Sequence, residues 1–471
     1  MIDLQLEYPY KELNQIFYND EKPVPLKNPK LISRNNKYIE EIGLDLSDEE
    51  LTQLFNGELK IKDFTPYALA YSGHQFGYFV PNLGDGRALN FGSFNGVNLQ
   101  TKGLGVTKYS RNGDGRAVLR SSIREYLMSE AMHGLGIPTT RALGIITSDT
   151  TVYRETTEKC AVVMRSSSSW VRFGTFEFAK TQHNTGLLKE LADFVIKENY
   201  PDLATLNNKY EVLFFTIVDK TITLMALWQS VGFMHGVMNT DNMNIAGLTI
   251  DYGPYAFMEE FQREYVCNHS DNKGRYSFTN QPFIARWNLL VLAHSFKEIA
   301  NYELLESYAN RFIGRFKEEY FEIMGKKLGF SKTYFEDREL ILELFDVLEI
   351  CKIDYTVFFY YLSCGNFDGI LMMSEQYETM KNWLDNYKER INIEMILNEE
   401  RMENMKKINP KYVLKNYILQ DVIKEVENGN FELLNDILEI AKNPYDEHLK
   451  YEKYAKQTPK NLGGFICSCS S

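Results

Sequence analysis

The chain has 471 residues, of which 44% are hydrophobic and 25% charged, and its formal net charge is −12. This is the composition of a soluble globular protein long enough for two lobes, and its acidity argues against broad affinity for nucleic acid or anionic membranes, which need clustered Lys and Arg. The longest apolar runs, such as EVLFFTIV after Tyr210, are interrupted by charge well short of the ~20 residues of a membrane span, and the acidic start MIDLQLEYPYKELN has neither signal-peptide nor transit-peptide character, so a cytoplasmic location is expected.

Residues 1–60 read as an N-terminal extension packing on the core, with KYIEEIGL and SDEELTQLF at helical spacing. From Pro66 to Ser148 the chain is rich in Gly and short alternating runs, and RALNFGSF and VNLQTKG predict strands joined by tight turns. Asp114 and Gly115 then stand before RAVLRSSIREYLMSEAMHGLG, in which Leu119, Ile123, Leu127 and Ala131 share one helical face; Asp114 is the expected N-cap, and the helix should stop near Gly134 and Gly136. Further strands are expected at GIITSD, TVYRE and CAVVMR. From about Phe173 the pattern turns helical, and residues 298–456 read as a helical core. This order predicts an α+β protein with segregated layers: a strand-rich N-lobe at 61–170, a mostly helical C-lobe at 171–460 and a flexible tail at 461–471. A ligand would bind in the cleft between the lobes.

The strongest chemical signal is HGVMNTDNMNIAGLTIDYG, His235 to Gly253. Set against the protein-kinase pattern H-R-D-x-x-x-x-N followed by D-F-G, His235 falls on the His, Asn242 on the Asn and Asp251 on the metal-binding Asp, but the catalytic Asp position holds Val237. Asn242 and Asp251 offer hard oxygens suited to magnesium, which usually takes one or two protein ligands plus phosphates and water. Asp241 is the nearest remaining carboxylate able to accept a proton from an attacking hydroxyl, and an Asx turn explains it as well. His235 reads as a brace for the loop. Gly84, Gly86 and Arg87 in NLGDGRA suit a phosphate-approaching turn, although an ordinary tight turn explains an isolated GDGR. Lys102 on a strand and Glu125 on the next helix follow the order of a phosphate-positioning ion pair. Asp114 and Gly115 lie where a helix start would favour an anion, and Arg165 and Arg172 flank RSSSSWVR, where two guanidiniums can converge on a polyphosphate or simply face solvent. Six cysteines in so long a chain form no secreted framework. Cys267 follows Asp251 where a kinase carries its activation segment, and Cys467 or Cys469 in the terminal GGFICSCSS could bridge to it; the alternative is three free thiols.

YSGHQFG, LGDGRA, TKGLGVTKYSRNGDGRAVLRSSIREYL, LGIPTTRALGI, VYRET, HGVMNTDNMNIAGLTIDYGPYAF and CNHSDNKGRYSF occur in that order between Tyr71 and about Trp287. With these motifs the chain resembles the selenoprotein O family of protein-kinase-like proteins, with Cys469 where some members carry selenocysteine. The resemblance implies a kinase-like bilobal fold that binds ATP in a flipped orientation and transfers AMP to protein Ser, Thr or Tyr hydroxyls. It further implies that Lys102 binds phosphate and pairs with Glu125, that Gly84, Gly86, Arg87, Asp114, Gly115, Arg165 and Arg172 contact the nucleotide, that Asn242 and Asp251 hold magnesium (or manganese), and that Asp241 accepts the proton. A regulatory disulfide between Cys267 and Cys469 is implied as well. The link between LGDGRALNFGS and VNLQTKG is shorter than in some relatives. Two other readings stay open: a kinase using Asp241 as a displaced base, and a nucleotide-binding pseudokinase scaffold without turnover.

Overall fold

In the computed structural model, which describes residues 4–464, an antiparallel sheet and a helical assembly share one long cleft. The strands are β1 (Tyr18–Asp20), β2 (Lys30–Arg34), β3 (Tyr67–Leu69), β4 (Gly73–Gln75), β5 (Tyr78–Val80), β6 (Ala88–Phe94), β7 (Val97–Lys102), β8 (Ala117–Val118), β9 (Arg141–Tyr153), β10 (Thr157–Ser167), β11 (Phe233–Met234) and β12 (Ala256–Phe257). The main sheet runs β1-β3-β6-β7-β10-β9-β2, with β8 also paired to β10; β4-β5 and β11-β12 are separate two-stranded pieces. The β6-β7 connection is as short as a hairpin allows. Asn95 and Gly96 both have positive φ, 47° and 81°, as a primed two-residue turn requires.

The extension before residue 60 supplies more than its two helices, α1 (Asn36–Glu41) and α2 (Asp48–Phe55). β1 and β2 form the two ends of the main sheet, so this segment is built into the sheet. α2 starts with a reciprocal capping box, Ser47 Oγ accepting from the Glu50 N–H and Glu50 Oε2 from the Ser47 N–H.

Period-2 alternation divides the sheet's two faces. Cys160, Val162 and Met164 of β10, with Leu89, Phe91 and Leu99, pack against Leu51, Leu54 and Phe55 of α2. Ala161 and Val163 join the other core, with Ile123, Tyr126 and Leu127 of α3 (Leu119–Gly134). On that second face the alternation also places Asn90, Gln100, Lys102 and Arg165. The register pairs Asn90 with Gln100 and Gln100 with Arg165, so one polar row crosses three strands.

The helix predicted to begin at Asp114 begins at Leu119, with Val118 as N-cap. β8 intervenes because Ala117 and Val118 pair with Ala161 and Cys160, and Asp114 spends its carboxylate on Arg154 instead of on a helix end. Beyond β10 come α4 (Phe173–Thr181), α5 (Thr185–Asn199), α6 (Lys209–Ser230) and α7 (Gln281–Phe296), then further helices to Lys442. The last of these, Glu432–Lys442, returns to α3; a Cβ on Gly134 would stand 2.2 Å from the Ala441 carbonyl, so a residue without a side chain permits the approach. No helix among the described residues is long and apolar enough to cross a membrane.

Candidate functional site

A cavity of about 570 Å³ lies between the polar face of the sheet and the loop from His235 to Gly253. It brings together Gly84, Gly86, Arg87, Lys102, Asp114, Gly115, Glu125, Arg165, Arg172, Asp241, Asn242 and Asp251. Cys267 does not line it, and Cys469 lies outside the described residues.

The floor is a closed charge network. Lys102 Nζ donates to Glu125 Oε2 at 2.7 Å and to Asp251 Oδ1 at 3.2 Å. Arg165 Nη1 bridges Glu125 Oε1 at 2.6 Å and Asp251 Oδ1 at 2.8 Å, while Arg172 Nη1 takes Asp251 Oδ2. Burial alone would raise the Asp251 pKa, but Arg172, Lys102 and Arg165 together hold it well below the usual carboxylate range. Glu125 is likewise lowered, its burial outweighed by Lys102 and Arg165. Asp251 has φ 57°, a left-handed conformation uncommon for a residue with a Cβ.

Both arginines are 2% exposed, and residues that the sequence reading passed over hold them. Gln100 Oε1 accepts from Arg165 Nε at 2.9 Å. Asp85, buried between Gly84 and Gly86, stands 3.8 Å from Arg172 and accepts from Asn90 Nδ2 at 3.1 Å and from the Leu69 N–H at 3.1 Å. Burial raises its pKa against the pull of Arg172. The signal for Asn90 and Gln100 was present in the strand alternation, which puts them on the face of Lys102.

Glycine is dictated at two cavity positions. Gly84 has φ 119° and a Cβ there would lie 2.4 Å from the Tyr109 ring; Gly115 has φ 68° and a Cβ would lie 2.0 Å from the Gly105 carbonyl. Arg87 is exposed, and Asp114 is clamped by Arg154 at 2.7 and 2.9 Å, which contributes to a pKa below the usual value.

The loop that follows β11 is braced by His235. Its Nδ1 accepts the Val237 N–H at 3.3 Å and its Nε2–H donates to the Ile250 carbonyl at 2.8 Å; burial lowers its pKa and favours a neutral ring, outweighing the opposite pull of the Ile250 bond. Asn242 Nδ2 donates to the Val237 carbonyl at 2.9 Å, which leaves its side-chain oxygen as the group available to a cation. Asp241 is 8% exposed. Burial pushes its pKa up to about 6, opposed by a hydrogen bond from Gln75 Nε2 to Oδ2 at 3.2 Å, and its buried Oδ1 has no partner.

The residues fit a magnesium ion carried in on a polyphosphate. Asn242 and Asp251 offer oxygen donors on one cavity wall, and no cluster of three or more His, Cys, Asp or Glu suited to a metal occurs among the described residues. Hard, water-retaining cations bind through such sparse protein ligation with phosphates completing the shell.

Cys267 is 0% exposed, with Sγ directed at the Pro254 carbonyl at 2.8 Å. It packs in the core with Met234, Ala256 and Phe278.

A cleft lined by the polar face of a sheet, with three cations converging on one carboxylate and two oxygen ligands beside a buried, half-satisfied carboxylate, has the equipment of a nucleotide-handling transferase. Comparison with known proteins gives the family. A profile described as "Protein adenylyltransferase SelO" matches residues 1–442, and the chain belongs to that family. It is 42% identical over 479 residues to "Protein nucleotidyltransferase YdiU" of Vibrio parahaemolyticus, covering 98% of each chain. To the proteins of the same name from Thioalkalivibrio sulfidiphilus and Myxococcus xanthus it is 42% and 41% identical, covering 99% or more of each chain.

Proposed function

We propose that the chain is a cytoplasmic, kinase-like bilobal enzyme that transfers AMP from Mg-ATP, bound in flipped orientation, to Ser, Thr or Tyr hydroxyls of proteins and releases pyrophosphate. Residues 61–170 form its N-lobe, with 1–60 packed onto it, and 171–460 its C-lobe. The observation that carries this reading is the convergence of Lys102, Arg165 and Arg172 on Asp251. Two fully buried guanidiniums and the partly buried Lys102 share two hydrogen-bonded carboxylates, Asp251 and Glu125, and they suit a triphosphate tail lying inward. With the tail inside, the α-phosphorus faces the side on which Asp241 stands.

On this reading Gly84, Gly86, Arg87, Asp114 and Gly115 contact the nucleotide, and Lys102, Arg165 and Arg172 exchange Asp251 for phosphate oxygens. Glu125 keeps Lys102 aimed. Asn242 and Asp251 would hold magnesium, or manganese, which would supply positive charge against the phosphates. Asp241 takes the proton of the acceptor hydroxyl as its oxygen bonds to the α-phosphorus and the bond to the β-phosphate bridge breaks. A pKa of about 6 suits a group that is ionised at neutral pH yet basic enough to accept a proton. Val237 then costs nothing, because the base has moved to Asp241.

Redox control through a Cys267–Cys469 disulfide belongs to the same proposal. Since Cys267 is fully buried, the bond requires the segment around Pro254 and Cys267 to open, so oxidation would act on the loop that carries Asp251. Intact-mass analysis of a protein acceptor incubated with Mg-ATP tests the transfer. An adenylyl adduct supports it, and a phosphoryl adduct would replace it with a kinase.

A further inference from the structure

Every residue of α3 from Ser122 to Met132 is buried. A helix covered all round is a core helix, held on every side, and the sheet supplies only part of the cover. The rest comes from the C-terminal part of the chain. Ser33 Oγ, itself 3.0 Å from the Tyr126 hydroxyl of α3, donates to Asn435 Oδ1 at 2.7 Å, and the Tyr445 hydroxyl donates to the Leu135 carbonyl at 3.5 Å.

Inside this cover sits Arg124, 2% exposed. Its acceptors among the described residues are neutral. Nη1 donates to Asn416 Oδ1 at 2.9 Å and Nη2 to the Tyr255 carbonyl at 3.1 Å, while the buried Nε has no partner. Burying a cation without a carboxylate is costly, and an apolar side chain of similar length would fill the same space at less cost. What distinguishes Arg124 from such a filler is what it fastens. Tyr255 returns the bond, its hydroxyl donating to the Arg124 carbonyl at 2.9 Å, and the guanidinium carbon lies 4.4 Å from the centre of its ring. Tyr255 follows Asp251 in DYGPY and stands immediately before β12, which pairs with β11 at the start of the His235 loop. Asn416 opens the helix Asn416–Glu427, and Lys415 before it makes a buried ion pair with Asp354. Arg124 thus joins α3, the segment after Asp251 and an anchored C-terminal helix.

The next residue of α3 is Glu125, whose two oxygens receive Lys102 and Arg165. In protein kinases the strand-lysine and helix-glutamate pair must be in place for activity, and the position of the helix controls it. We propose that Arg124 is a positioning residue: with Tyr255 and Asn416 it locks α3 to the Asp251 segment and to the C-terminal helices, so that Glu125 stays on Lys102 and Arg165 whether or not nucleotide is bound. The chain itself holds the site assembled. The inference rests on the AMP-transfer reading for the task of the aimed Lys102, and the lock is read separately, by binding and by amide exchange.

The test uses the full chain. Arg124→Met keeps an unbranched side chain in the core and removes its donors. Amides of α3 are expected to exchange faster in this variant than in the wild type while those of α6 keep the wild-type rate, the signature of a local opening. Mg-ATP should slow α3 exchange far more in the variant than in the wild type. Direct Mg-ATP binding should weaken about tenfold, the factor expected when about one tenth of the molecules hold the binding-competent arrangement. Wild-type α3 exchange in Arg124→Met overturns the lock. Faster α3 exchange with unchanged Mg-ATP affinity overturns it too, because Glu125 would then not depend on it. Equally faster exchange in α3 and α6 makes Arg124 a general core residue and overturns the positioning role. If Arg124→Met does not fold, Asn416→Ala carries the test; it is expected to shift both quantities in the same direction by less, and wild-type values there overturn the proposal. Wild-type protein that binds Mg-ATP but transfers no α-phosphate label to protein is a different result, which removes the AMP-transfer reading and leaves the lock standing.

Discussion

Arg172 donates from Nη1 both to Asp251 Oδ2 and to the backbone carbonyl of Asp241, so one guanidinium ties the candidate metal ligand to the candidate base. With Lys102 and Arg165 also on Asp251, the three cations neutralise themselves on that carboxylate and on Glu125.

Removing Asp251 should therefore leave buried cations uncompensated. Asp251→Ala is expected to lose about 3 kcal/mol of stability in a urea titration, the scale for breaking a buried ion pair. Inorganic triphosphate without metal should restore more stability to Asp251→Ala than it adds to the wild type, because it meets cations already released. Equal effects on both proteins would mean that the cations do not face the polyphosphate.

Asp241 gives activity and stability opposite pH dependences. Its folded pKa of about 6 lies above the ordinary carboxylate value near 3.9, so the folded state holds the proton more tightly than the unfolded chain. Stability falls as pH rises from about 4 to about 6 and is level above that; the difference of about two pKa units corresponds to roughly 3 kcal/mol. Activity needs the ionised form and should fall as pH drops through about 6. Asp241→Asn is expected to be more stable than wild type at pH 7 by up to that amount, with no gain near pH 4, and to be slowed about 10²- to 10⁴-fold as a lost general base would be.

Gly115 and Gly96 make a paired test of the turn argument. Both have positive φ, but a Cβ at 115 would collide with Gly105 whereas at 96 nothing lies within 4 Å. Gly96→Ala should cost only about 1 kcal/mol, the strain of the left-handed region. Gly115→Ala should cost more and raise the KM for ATP, read by urea titration and steady-state kinetics.

The thiol prediction is kinetic. Native Cys267, 0% exposed, should react with a thiol reagent far more slowly than after unfolding. Oxidised protein digested without reductant should yield a peptide joining Cys267 to the segment containing Cys469. A map lacking that peptide removes the disulfide from the account.

Much of the site was legible because its chemistry is local. Asn242 and Asp251 lie on one loop, and Lys102 and Glu125 follow the strand-then-helix order that brings them together. What escaped depends on tertiary register. Gln100 and Asn90 are ordinary amides in sequence and become significant only once β6, β7 and β10 align them beneath Arg165. Asp85 was hidden between two glycines that drew attention to the turn, although it is the buried carboxylate facing Arg172. The N-cap expected at Asp114 failed because Ala117 and Val118 pair with β10, a long-range preference that local capping rules do not include. The sheet's two outer strands, β1 and β2, escaped because Tyr18–Asp20 and Lys30–Arg34 are short and mixed in polarity, and pairing alone makes them strands.

The most direct measurement of the central claim is transfer of label to protein from ATP carrying it on the α-phosphate, beside ATP labelled on the γ-phosphate, with Asp251→Ala as control. The account predicts label from the α position only, lost in the control. Label from the γ position only would contradict it, making the protein a kinase and removing the inward triphosphate from the interpretation of Lys102, Arg165 and Arg172.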